Sequence, residues 1–128
     1  MFSKVMAALI VALLSVSASL AGSIGLEMTP VATLAKGRIQ LTLKIRNVGD
    51  EAALSVHPEA GLAMPLIAGP AQKRLGAGEI CSLAWNIGAA PPIPGMHTVM
   101  IRARYTDLRG YPFSAVACMP MITDIPTA

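Results

Sequence analysis

Met96-His97 and Cys118-Met119-Pro120-Met121 are the two places in this chain where soft metal ligands stand together. Thioether and thiolate sulfur suit Cu(I), and imidazole suits either copper state. Met96, His97, Cys118, Met119 and Met121 are therefore the residues that could hold copper. Packing competes for the same side chains. The chain has eight methionines against two phenylalanines, two tyrosines and one tryptophan, and a flexible thioether fills core gaps that rings would otherwise occupy. No His-x-Met pair is present. No cofactor is therefore assigned, and copper remains the minor alternative.

Other chemistries leave no trace. The sequence contains no GxSxG, HExxH, phosphate-binding P-loop or GxGxxG, each of which places a nucleophile, base or phosphate cradle at fixed spacing. Asp50 and Glu51 adjoin a turn and read as solvated charge, and no carboxylate pair suggests acid–base work. No enzyme activity is expected. The net charge of +3 is too small to point to nucleic acid. Lys44 and Arg46 share one strand face, as do Arg102 and Arg104. If those strands join one sheet they form a basic stripe for a weakly bound anion. Cys81 and Cys118 close a disulfide if the fold brings them together, and otherwise serve as free thiols. Pro91, Pro92 and Pro94 stiffen a loop, and Tyr111 flanks a hairpin. With Arg102 and Arg104 these are the interaction candidates, because loop ends are where binding usually resides.

The elements that must carry these residues are strands. Ile39, Leu41, Leu43 and Ile45 alternate with Gln40, Thr42, Lys44 and Arg46, a period of two that marks a half-buried strand. Asn47-Val48-Gly49-Asp50 ends it with turn residues. Cys81, Leu83, Trp85 and Ile87 share a second such face, with Trp85 as core anchor, and Val99, Ile101, Ala103 and Tyr105 a third. Residues 26–34 suit an edge strand because they include Pro30. A short strand over 52–57 is expected to stop at Pro58, followed by an irregular edge strand within 61–68. Leu75–Glu79 forms a turn, Gly88–Gly95 a stiff proline loop, Thr106–Gly110 a hairpin connection and Tyr111–Thr123 the last strand. About seven short strands in some hundred residues predict an all-β, antiparallel sandwich.

Only 13% of the 128 residues are charged, while 54% are apolar. Part of that imbalance sits at the N-terminus. Lys4 is followed by an uncharged run with a strongly apolar stretch over Val5–Leu14, and Ser19-Leu20-Ala21 places small residues before a cut at Gly22. That is the anatomy of a secretory signal. Residues 1–21 are expected to be a signal helix, with a retained membrane anchor as the alternative, and residues 22–128 the exported domain, periplasmic or at the cell surface.

The strand and turn residues also carry a resemblance. Leu41–Ala53 (LTLKIRNVGDEAA), then Leu75-Gly76-Ala77-Gly78-Glu79 leading to Trp85, then Pro94-Gly95-Met96-His97 leading into Val99–Tyr105, Asp107 and Gly110 follow one another in order. That succession resembles bacterial and archaeal immunoglobulin-like modules of the CARDB and NEW3 kind, over residues 26–122. The proline loop and the two cysteines depart from that pattern. The resemblance implies an immunoglobulin-like sandwich without catalytic residues, acting by adhesion, assembly or presentation. The expected partner is a protein in an envelope or surface assembly. Membrane contact would come only through an uncleaved N-terminal segment.

Overall fold

The period-two alternation resolves into two antiparallel sheets. The computed structural model describes residues 24–123, together with the backbone of Leu14–Ser15. The export segment expected over 1–21 otherwise lies outside the described residues. One sheet has the order β1-β2-β3-β7, built from Leu14–Ser15, Leu26–Ala35, Arg38–Asn47 and Ile80–Ala89. The other has the order β5-β4-β8-β9, built from Ile67–Ala68, Ala53–Gly61, Gly95–Thr106 and Pro112–Thr123, with β6 (Gln72–Leu75) also paired to β4. We call them sheets A and B. Among the described residues there is no helix.

The alternating residues bury as expected. Ile39, Leu41, Leu43 and Ile45 of β3 are fully buried, as are Leu26 and Met28 of β2, with Leu83, Trp85 and Ile87 of β7 beside them. Sheet B supplies Val56, Val99, Ile101, Tyr105, Met119 and Met121 to the same core. It also supplies four alanines, Ala53, Ala60, Ala103 and Ala115. Small side chains on one layer leave room for the leucines and isoleucines of the other, which close packing requires. Each leucine or isoleucine so buried contributes about 1.5–3 kcal/mol.

Prolines sit where their missing N–H points away from the long ladders. Val48 N–H donates to Gly25 C=O at 2.8 Å, so the odd residues of β2 face β3 and the even ones turn their backbone away. Pro30 is even, and no ladder bond is lost. Pro58 was expected to end its strand, yet β4 runs through it to Gly61. The Pro58 carbonyl accepts from Gly69 N–H at 2.9 Å, on the side away from β8. Its missing N–H would point the same way, so the pairing with β8 survives. Strand β6 has no counterpart in the sequence reading, which places only Leu75, in a turn. Its sequence QKRL shows no alternation, and only Leu75 is buried.

Two turns and one polar residue fix the connections. Lys36 and Gly37, at φ 55° and 74°, form the tight left-handed turn that matches strand twist between β2 and β3. Asn47 is fully buried at the end of β3. Its Nδ2 donates to Glu51 C=O (2.8 Å) and Leu75 C=O (3.0 Å), and its Oδ1 accepts from Gly49 N–H (3.0 Å). Its backbone meets Glu79 and Gly78. One side chain thus joins the β3–β4 and β6–β7 connections.

Candidate functional site

The outer face of sheet B is assembled from three long strands whose registers set its rows. Glu59, Arg102 and Val116 form one row, and His57, Arg104 and Ser114 the next. Met100 stands beside Cys118, Thr98 beside Pro120 and Met96 beside Ile122. The face is therefore polar toward the β8–β9 hairpin and apolar toward the β7–β8 loop.

At the hairpin end lies an open depression of about 660 Å³, lined by Ser55, His57, Arg104, Tyr105, Phe113 and Ser114 among others. A bulge in β4 between Leu54 and His57 shapes it. Ser55 sits there at φ 52°, a left-handed conformation that costs a serine energy and re-aims the strand. Tyr105 and Phe113 stack with centroids 5.6 Å apart and planes inclined at 23°. Burial pushes the Tyr105 phenol above its ordinary pKa because the phenolate would lose hydration. Arg102 Nε donates to Glu59 Oε2 at 2.6 Å, whereas Arg104 is 3.8 Å from the same oxygen and keeps 60% of its side chain exposed. Glu59 is thus engaged mainly by Arg102, and Arg104 with His57 is left to meet a ligand.

At the other end of β8, Pro91, Pro92 and Pro94 form the β7–β8 loop. His97 Nε2–H donates to Ile93 C=O at 2.8 Å and ties that loop to the strand. Ile93, Met96 and Ile122 are exposed there, at 67%, 68% and 58%. The interaction candidates therefore divide. The three prolines stand at one end, while Arg102, Arg104 and Tyr111 lie toward the other. Tyr111 is exposed, and its N–H donates to Asp107 Oδ1 at 3.0 Å. The basic stripe does not form. Lys44 and Arg46 are on the outer face of sheet A, and Arg102 and Arg104 on that of sheet B.

The copper candidates are separated by the same alternation. Met119 and Met121 point into the core, with 1% exposure each. Cys118 and Met96 point outward. His97 is opposite Met121 in register, but its ring is engaged by the loop carbonyl. The five side chains do not converge, and among the described residues no three His, Cys, Asp or Glu gather as a metal site would require. Of the two alternatives left open for Cys81 and Cys118, a disulfide or free thiols, the structure has free thiols. Cys81 faces the core from β7 in sheet A, and Cys118 faces solvent from β9 in sheet B. Burial raises the Cys81 thiol pKa, with a backbone hydrogen bond from Ile45 acting in the opposite direction.

The depression offers one exposed guanidinium, an imidazole and hydroxyls, which suits a small anionic group. The apolar end suits a protein surface. Sequence reasoning missed Ser55, His57, Phe113 and Ser114 as pocket residues, and Ile93 and Ile122 as surface residues. Alternation put Ile122 on the face opposite Met119 and Met121, so that signal was present. The bulge at Ser55 left none. No protein-family model matches the chain, and neither a curated protein nor a solved structure is significantly similar to it.

Proposed function

We propose that the chain is an exported, non-catalytic binding and assembly module, an immunoglobulin-like β-sandwich serving as a small subunit of an envelope or surface complex. The strand order supports the fold. β2-β3-β7 against β4-β8-β9 corresponds to strands A-B-E facing C-F-G of the immunoglobulin arrangement, with β6 beside β4 as an added edge. Export rests on the character of residues 1–21.

One observation carries the binding role, namely the asymmetry of the two outer faces. Sheet A presents Glu27, Thr29, Arg38, Gln40, Thr42, Lys44 and Arg46, a mainly polar face on which Val31 and Ile80 stand apart as exposed apolar residues. Sheet B presents Met96, Met100, Val116, Cys118, Pro120 and Ile122 in adjoining rows, continued by Ile93 and its flanking prolines. A contiguous apolar surface of this kind marks a contact site, and the stiff loop enters it with little ordering cost. The contact is assigned to a protein partner at this end of sheet B.

Replacing Met96 and Ile122 together by aspartate tests the assignment. Both are exposed, so stability should change by no more than about 0.5 kcal/mol, while the proteins that co-purify with the native chain should be lost. Retention of the same proteins by the double variant would overturn it.

A further inference from the structure

The open edge of β9 carries its own register code. β9 is the outermost strand of sheet B among the described residues, paired to β8 without a bulge from Pro112 to Thr123. Asp107 N–H donates to Tyr111 C=O at 3.1 Å, which makes 107 and 111 a hydrogen-bonded pair. By alternation the odd residues of β9 face β8, and the even residues turn their N–H and C=O to the free edge. The even residues are Pro112, Ser114, Val116, Cys118, Pro120 and Ile122. Proline has no N–H, so the free donors between the two prolines belong to Ser114, Val116 and Cys118. Pro112 and Pro120 are equidistant from Val116.

From this spacing we propose that a second copy of the chain pairs with β9, antiparallel, about a two-fold axis at Val116. In that register Val116 faces Val116 of the second copy, and Ser114 faces Cys118 of the second copy. Three hydrogen-bonded pairs form, and the ladder ends where proline meets proline. Sliding the copies by two or four residues either way sets a proline ring against the carbonyl of Ser114, Val116 or Cys118. Every antiparallel pairing of two identical strands is two-fold symmetric, but only the register centred on Val116 sets proline opposite proline, and a second copy carries prolines at the same eight-residue spacing. β9 carries no charged residue over its twelve positions, so its edge is guarded only at Pro112 and Pro120 and stands open between them. Val116 is 59% exposed at the proposed axis, and Arg102 beside it is neutralised by Glu59.

The test uses the full chain as isolated from its host. Sedimentation should show the mass doubling as concentration rises. Val116→Pro should abolish the doubling and leave the fold intact, because the lost N–H faces the free edge as at Pro112 and Pro120. A second measurement reads the register. In the V116C/C118S double variant the new thiols meet at the axis, and mild oxidation should give a disulfide-linked dimer. The unsubstituted chain should not cross-link under the same oxidation, since its Cys118 thiols would lie four residues apart, about 13 Å along the strand. A chain that stays monomeric, an open-ended polymer, or cross-linking through Cys118 equal to that at position 116 would each overturn the proposal.

Discussion

Asn47 shows how one residue can hold two loops. Its buried side chain satisfies the carbonyls of Glu51 and Leu75 and the N–H of Gly49, the Leu75 bond fully buried and the other two partly so. Asn47→Ala leaves the buried Leu75 carbonyl without its side-chain partner and should cost about 1–3 kcal/mol, since an unmet buried polar group forfeits its desolvation energy. Asn47→Asp should cost more. It keeps an acceptor for Gly49 but turns a second oxygen, and a buried charge, toward two carbonyls. Urea unfolding of the two variants checks both the loss and its order. The sequence marks Asn47 only as a turn residue. Its burial depends on Leu75, twenty-eight positions away, and no local pattern reports that. Trp85 is a parallel case. Alternation places it on the inner face, but its Nε1–H bond to Ile67 C=O at 3.0 Å depends on the chain passing beside it. At Gly69 a β-carbon would stand 2.4 Å from the indole ring, so only glycine fits there.

At the scale of elements, strands with one buried face were legible, and strands without one were not. β3, β7 and β8 announce themselves because burial forces a period of two. β6 does not, since its Gln72, Lys73 and Arg74 have no inner face to fill. Pro58 misled because proline was read as a stop, whereas the direction of its missing N–H decides whether a strand can continue. The turns divide the same way. The β2–β3 turn requires positive φ at both central residues, and Lys36 pays for that conformation. Lys36→Asn supplies the residue that this turn prefers beside Gly37 and should raise stability by about 0.5–1 kcal/mol. Thermal unfolding should show a higher midpoint, and an unchanged or lower one would mean that Lys36 makes a compensating contact. The candidate site was legible only in part. Period two told which side chains share a face, but not which sheet a strand joins, and this is why the expected basic stripe split between two surfaces.

Across the whole molecule the low charge of the sequence becomes a difference between two faces. Sheet A turns mainly polar and charged residues outward, with Val31 and Ile80 as separate apolar exceptions, while sheet B sets a contiguous apolar surface between the proline loop and the hairpin depression. The proposed partner contact, the anionic group suited to Arg104 and His57, and the self-pairing edge of β9 all belong to sheet B. They overlap on β9, where Val116 and Cys118 belong to both the apolar surface and the edge and Ser114 to both the edge and the depression, so position 96, away from that edge stretch, is the place to probe the partner contact. The most direct measurement is therefore site-specific photo-crosslinking in the living host, with a photoreactive side chain at position 96 on sheet B or at position 42 on sheet A. The account predicts a discrete adduct with a different protein from position 96 and none from position 42. No adduct from position 96, or the same adducts from both positions, would contradict it.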